Sequence, residues 1–371
     1  MPIFLFLRFI FALLSLVILA LAGYFLWEWY QGDPLRDADG VIRRHREDWR
    51  LWLGAALLAW SLFGRFVTRL LLAKGDTDPT HATRGKGRTI QSETGATIYL
   101  EEYGAVTAQP IVLTHGWSMD STIWNYAKRD LAKNFRVLVW DLPGLGLSQR
   151  DDSEICLSGF ARDLKSVMAQ VGDQRPILVG HSIGGMIIQT LARDDPQAFK
   201  KVAGVALFNT TYTNPLKTMI LSGLLQALRK PLIVPMLYLT IWLAPLVWLA
   251  SWQSYLSGST HISARFGFGR FVTRSQLDHV ALLLTRAWPA VSARGDLAMI
   301  RWDGSAGMPN LTVPALVLGG GVDIVTKAEA SETIAHRFPG AQLEIIEGVN
   351  HMGPVERSDL YNARLAAFAE A

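Results

Sequence analysis

Gly180-His181-Ser182-Ile183-Gly184-Gly185 lies between an apolar run, Pro176-Ile177-Leu178-Val179, and a stretch patterned as a helix, Met186-Ile187-Ile188-Gln189-Thr190-Leu191-Ala192. A strand that ends in Gly-x-Ser-x-Gly and passes at once into a helix puts the serine in a sharp, strained corner, and the small flanking residues let the two backbones approach. Ser182 should therefore stand at the top of a sheet with its hydroxyl exposed. The same corner sets the backbone NH of Ile183 at a helix N-terminus, where unpaired NH groups and the helix dipole can stabilise a developing oxyanion. A structural Gly-Ser turn is the plain alternative, and the strand-turn-helix context here weighs against it.

Outward from this corner, strands and helices alternate. Residues 89–91 and 96–100, separated by Glu93-Thr94-Gly95, read as a hairpin opening a sheet. Residues 111–114, 136–140, 202–208, 315–318 and 342–346 read as further buried strands, with helices near 123–132, 160–171, 328–337 and 359–369. This is an α/β pattern: a mostly parallel, eight-stranded sheet covered on both faces, with its active site at the carboxyl ends of the strands.

These residues resemble the α/β-hydrolase superfamily, in the branch of lipases, esterases, C–C bond hydrolases and cofactor-free haloperoxidase-like enzymes, over roughly residues 88–370. The resemblance implies a triad in chain order: Ser182, then Asp323 in Leu318-Gly319-Gly320-Gly321-Val322-Asp323, then His351 in Gly348-Val349-Asn350-His351-Met352-Gly353-Pro354. A neutral serine hydroxyl needs a base, which an imidazole near pKa ~6.5 supplies, and the carboxylate would fix the ring's tautomer and stabilise its cation. Asp303, in Arg301-Trp302-Asp303-Gly304, competes for the acid, but it precedes the strand where the family's acid follows it. His115-Gly116-Trp117 matches the family's His-Gly signature, which makes the Trp117 NH the second oxyanion donor. His115 and His181 are expected to be structural. An elbow serine argues against the haloalkane dehalogenases and epoxide hydrolases of this fold, which carry aspartate there.

Composition adds a membrane. Half of the 371 residues are apolar and 18% are charged, and the apolar surplus is concentrated in residues 3–27, 49–72 and 219–256. Residues 3–27 carry one charge, Arg8, and are long enough to cross a hydrocarbon core of about 30 Å, with Trp27, Trp29 and Tyr30 as an aromatic edge. Ala20-Leu21-Ala22 admits the rival reading of a cleaved signal peptide, which the absence of a preceding basic residue and the continuing apolar run disfavour. In residues 51–72, Arg65 and Arg69 sit one turn apart. The segment either spans with both arginines snorkelling to the interface or lies along the surface, and a hairpin of two spans is the favoured reading. The basic residues of 36–50 and of 74–88 pull opposite ends toward the same side, so sidedness stays open.

The domain expectation is a membrane anchor over 1–74, a polar, Gly-rich linker over 75–87, a hydrolase core of 88–210 and 291–371, and a helical cap over 211–290. Within the cap, 231–256 carry no charge, and Pro231, Pro235 and Pro245 are expected to break the segment into short helices. A single crossing by this insertion is excluded, since strands on both sides belong to one sheet. It is either a buried cap wall or a surface dipping into the bilayer, and Lys217, Arg229 and Lys230 tilt the balance to the bilayer.

The net charge of +4 is explained by basic residues beside apolar segments, with no basic stripe to suggest nucleic acid. The single Cys156 excludes an internal disulfide and a multi-cysteine zinc site, and is expected to be a half-buried filler. No metal or organic cofactor is expected. The functional expectation is a membrane-anchored serine hydrolase acting on a lipophilic carboxylic ester, with membrane lipid as its other partner. C–C bond hydrolysis, perhydrolysis or acyl transfer on the same residues, and a non-catalytic ligand-binding protein, are the alternatives.

Overall fold

The computed structural model describes residues 2–150, 155–338 and 340–371, with side chains from Phe9 onward. The side chain of Arg8, the single charge within 3–27, lies outside the described residues. Helix α1 (Pro2–Gln31), an antiparallel ribbon of β1 (Asp33–Arg36) and β2 (Ile42–His45), and helix α2 (Asp48–Leu72) form a helical hairpin. The next strands are β3 (Gly87–Gln91), β4 (Thr97–Tyr103), β5 (Pro110–Thr114), β6 (Arg136–Trp140), β7 (Ile177–His181), β8 (Gly204–Phe208), β9 (Ala315–Gly320) and β10 (Gln342–Ile346). They make one eight-stranded sheet in the order β10-β9-β8-β7-β5-β6-β4-β3. Strand β4 runs against the direction shared by the other seven described strands of this sheet, pairing antiparallel with both β3 and β6. The expected α/β architecture is therefore the observed one.

The strand period of two decides the layers. Val112 and Leu178 point to one face, into a core shared with α4 (Leu157–Met168) and α5 (Ile183–Asp194), which follow α3 (Asn125–Leu131) in the chain. Ile111, Leu113, Ile177 and Val179 point to the other face, which buries residues of α3.

Between β8 and β9 the chain makes a helical layer of α6 (Pro215–Thr218), α7 (Ser222–Leu228), α8 (Val234–Trp242), α9 (Ala244–Leu256), α10 (Ser259–Arg265), α11 (Arg274–Arg286) and α12 (Pro289–Arg301). After β9 come α13 (Ala328–Arg337), α14 (Gly353–Glu356) and α15 (Ser358–Glu370). Because α12 packs on α8, the layer continues beyond the expected boundary at residue 290. The prolines break it less than expected. Helix runs on from Ser222 to Trp242, since Pro231 falls in a π-helical turn at Arg229–Ile233, while Pro235 and Pro245 sit in the first turns of α8 and α9.

Among the described residues, three helices are long and apolar enough to cross a membrane: Phe9–Gln31, Asp48–Leu72 and Ser222–Trp242. The α1–α2 hairpin is docked on the cap. On α2, Ser61, Gly64 and Thr68 make one buried face, and a Cβ on Gly64 would strike the backbone carbonyl of Ser257. Arg65 lies over the Tyr255 ring at 5.0 Å and Arg69 Nη1 is 3.8 Å from Asp278 Oδ2, so both arginines engage the cap.

Residues 75–87 are likewise held down where a linker was expected. Asp76 Oδ1 accepts from Ser275 N at 2.8 Å, Arg129 grips Asp78, and Arg84 pairs with Asp120 and Asp141 at 2.9 Å each. The polar and charged residues of this segment find partners on both the cap and the core. Cys156 is exposed rather than half-buried, because its Sγ accepts from Gly159 N as the N-cap of α4.

Candidate active site

Ser182 sits at the corner between β7 and α5 with φ 55° and ψ −116°, a conformation sparsely populated by residues with a Cβ. Hydrogen bonds hold it there: Ser182 N donates to the Phe208 carbonyl at 3.0 Å, and Thr210 Oγ1 donates to the Ser182 carbonyl at 2.6 Å. The glycine at 184 is a steric requirement, since a Cβ there would stand 2.5 Å from the Thr114 carbonyl on β5.

The three residues read from the sequence as a triad converge. His351 Nε2 is 3.0 Å from Ser182 Oγ, and His351 Nδ1 is 3.1 Å from Asp323 Oδ2. Asp323 Oδ1 accepts from the NH groups of Val325 and Thr326 at 2.8 Å, while Oδ2 also accepts from Thr326 Oγ1 at 2.8 Å and Asn209 Nδ2 at 3.1 Å. Burial pushes the Asp323 carboxyl up, but the adjacent His351 ring and these hydrogen bonds outweigh it and hold the group below its usual range. Asp303 is elsewhere: its carboxylate accepts from Thr213 Oγ1 at 2.7 Å and from Ser305 N at 2.9 Å, as a turn residue does.

The histidine loop is fixed from several directions. His181 Nε2 lies 2.9 Å from the His351 carbonyl and, facing an acceptor, carries the proton. Burial pushes His181 down to about 3, with the neighbouring His351 ring acting the same way, so the ring is neutral. Asn350 Oδ1 accepts from His351 N at 2.8 Å and from Ile324 N at 3.0 Å, which ties the histidine loop to the acid loop.

Ile183 adjoins the serine in the chain, and Trp117, distant in the chain, shares its cavity. Trp117 lines the cavity over Ser182, and Ile183 is the first residue of α5. The indole of Trp117 donates to the Ser292 carbonyl at 2.9 Å and lies against Gly295 of α12, so cap packing sets the position of the Trp117 backbone. His115 bridges the Gly116 carbonyl at 2.8 Å and Leu142 N at 2.9 Å, the structural role expected of it.

Two further residues of this site lie outside any motif in the sequence. Asn209, wholly buried at φ 44°, donates to Asp323 and to the Asn350 carbonyl at 3.0 Å, and accepts from Tyr361 OH at 2.6 Å. Its signal was available: an asparagine at a strand end is the residue that tolerates a left-handed turn. Asp296 is buried and lines the cavity from α12, and no motif in the sequence marks it.

The cavity over Ser182 has a volume of about 80 Å³ and is roofed by Ala264, Val280, Leu284 and Ser292 of the cap. Hydroxyl, imidazole and carboxylate in this order can activate the hydroxyl as a nucleophile and return its proton to a leaving group. Ser182 is only 3% exposed, so that chemistry would run out of bulk water.

The family described as alpha/beta hydrolase fold matches residues 109–358. The chain is 25% identical over 296 residues to a putative non-heme chloroperoxidase from Synechocystis, covering 76% of this chain and 99% of that one. It is 23% identical over 292 residues to a pimeloyl-[acyl-carrier protein] methyl ester esterase from Nitrosospira multiformis, covering 73% and 98%. Among solved structures, an esterase from Exiguobacterium antarcticum superposes with a TM-score of 0.63 at 21% identity, over 77% of this chain and all of that one.

Proposed function

The chain belongs to the α/β-hydrolase family, and from that premise we propose that it is a membrane-embedded serine hydrolase that cleaves a lipophilic carboxylic ester. The observation that carries this reading is the unbroken chain from Ser182 Oγ through the His351 ring to Asp323, at 3.0 and 3.1 Å. Ser182 Oγ attacks the ester carbonyl carbon while His351 Nε2 takes its proton. The carbonyl oxygen becomes an oxyanion held by the NH groups of Trp117 and Ile183, each such donor being worth roughly 3 to 4 kcal/mol. As the tetrahedral centre collapses, the bond to the alcohol oxygen breaks and His351 returns the proton to it. Water, deprotonated by His351, then attacks the acyl-serine, and the acid leaves with Ser182 restored. Asp323 keeps Nδ1 protonated and stabilises the imidazolium.

Membrane residence is supported by the outward faces of α1, α2 and the cap. Trp242 is 79% exposed and Leu246 63% on the cap, and Leu13, Leu14 and Val17 of α1 and Trp52 of α2 are exposed as well. Large apolar side chains exposed in such number on three helical faces belong in lipid rather than water. The relative named for chloroperoxidase favours one side activity, interception of the acyl-serine by hydrogen peroxide to give a peracid.

The test is fluorophosphonate labelling of membrane fractions together with hydrolysis of p-nitrophenyl esters. Ser182→Ala should abolish labelling and lower hydrolysis by about 10³-fold or more, while Asp303→Asn stays within about twofold. Undiminished hydrolysis by Ser182→Ala would end the covalent mechanism.

A further inference from the structure

A second cavity, of about 260 Å³, lies between the N-terminal helix and the cap. Phe9, Ala12, Leu13 and Leu16 of α1 line one wall, and Leu243, Leu246, Val247 and Ala250 line the other. Both sets follow the i, i+3, i+4, i+7 spacing of one helix face, so two apolar stripes oppose each other. Among the described residues, no charged one lines the groove. Ser292, at the start of α12, lines this groove and also the cavity over Ser182, and its Oγ accepts from Ser118 Oγ at 3.0 Å. One thin partition therefore separates the reacting serine from the groove.

The depth of the groove follows from the hairpin. Counted from Asp48 at ~1.5 Å per residue, a hydrocarbon layer of about 30 Å ends near Thr68. Contacts with the cap already begin at Ser61, whose carbonyl accepts from Gln253 Nε2 at 3.2 Å, and continue through Gly64 and Thr68. If the hairpin crosses, α9 lies within the outer part of the hydrocarbon layer. Leu26 of α1 packs on Gly54 of α2, and the two helices run antiparallel, so Leu16 to Phe9 lie level with about Gly64 to Leu71. The groove thus straddles the boundary where a lipid's ester meets its acyl chain. Its rim is open to that layer, with Leu13 and Leu246 exposed.

We infer that this groove is the acyl subsite of the enzyme, and that the N-terminal helix, besides anchoring the chain, forms one wall of the substrate-binding site for a long-chain acyl ester drawn laterally from the bilayer. This rests on the serine-hydrolase reading above. The small cavity over Ser182 holds the ester and its first carbons; where the Ser118–Ser292 contact opens, the acyl chain passes the partition, and its remainder lies along α1 and α9. Leu13 and Val247 then determine chain-length selectivity.

The test uses the full chain in detergent micelles with p-nitrophenyl butyrate and palmitate, read as the ratio of kcat/KM for palmitate to that for butyrate. Leu13→Trp and Val247→Trp, which fill the groove from opposite walls, should each lower this ratio at least tenfold. Leu14→Trp, on the outer face of α1, should leave it unchanged. A ratio unmoved by both groove variants would overturn the inference. Should a groove variant fail to fold, the wild-type protein decides: a hexadecyl fluorophosphonate with a terminal diazirine, once on Ser182, should crosslink to the peptide bearing Phe9 to Leu16. Crosslinks confined to the core would also overturn it. Failure of wild type to hydrolyse butyrate or to react with any fluorophosphonate would instead refute the underlying hydrolase reading.

Discussion

Asn209→Ala should damage stability and chemistry together, by an amount that can be built up from its contacts. Its two amide hydrogens go to the Asp323 carboxylate and the Asn350 carbonyl, and its oxygen receives the Tyr361 hydroxyl, all in a wholly buried site. A hydrogen bond to a charged group is worth about 1.5 to 3 kcal/mol, and one to a neutral carbonyl about 0.5 to 1.5. Alanine at φ 44° adds about 1 kcal/mol of left-handed strain that asparagine largely escapes. The expected loss is therefore roughly 3 to 5 kcal/mol, read by urea unfolding in detergent. The carboxylate also loses a donor that favours its charged form, so the rate of fluorophosphonate labelling should fall and its acid limb move to higher pH. Asn209→Asp separates the contributions, because it keeps the tolerance for the left-handed turn but sets a second carboxylate beside Asp323. It should lose labelling at least as severely as alanine. Tyr361→Phe removes the remaining contact, and a double-mutant cycle with Asn209→Ala should show coupling above about 0.5 kcal/mol. A stable Asn209→Ala protein labelled at the wild-type rate would show that Asp323 is not oriented through this residue.

Two further outcomes follow from single contacts. Gly64→Val should cost about 1 to 3 kcal/mol of overpacking and lower Tm in detergent by roughly 5 °C, since the Ser257 carbonyl occupies the space a Cβ needs; Gly23→Val, with nothing within 4 Å, is the control, and equal melting of the two variants would refute a docked hairpin. His181, held neutral at about 3 in the fold, titrates near ~6.5 when unfolded, so between those values the unfolded chain holds the extra proton. Its contribution is complete above pH ~6.5 and shrinks by about 1.4 kcal/mol per unit as the pH falls toward 3. Burial acts on His115 in the same direction. Melting curves from pH 7 to 5 should flatten by about one proton in His181→Gln, whose amide still donates to the His351 carbonyl, and an unchanged slope would count against a neutral buried ring.

The core was legible because its determinants are local. Ile177 to His181 can only be a buried strand, the glycines at 180, 184 and 185 can only serve close approach, and a sheet built of such strands brings their carboxyl ends together. Ser182, Asp323 and His351 each stand just past a strand end, so a correct strand list already gathers them. What was not legible depends on partners distant in sequence. Asn209 takes its role only from Asp323, Asn350 and Tyr361, which surround it, and nothing in Gly75 to Gly87 announces that Arg84 will find Asp120 and Asp141.

Arg65 and Arg69 show why the anchor resisted reading. In an apolar helix, two arginines one turn apart are consistent with snorkelling, and composition alone cannot distinguish a lipid interface from a protein partner. The distinguishing feature is what shares their face: Ser61, Gly64 and Thr68 are small, and small residues on an apolar helix admit close helix packing rather than lipid. Arginines beside such a stripe therefore point to protein, here the Tyr255 ring and the Asp278 carboxylate. With α2 pinned to the cap and α1 pinned to α2 at Gly54, the groove between α1 and α9 is set by packing, and its width does not depend on the length of any flexible tether.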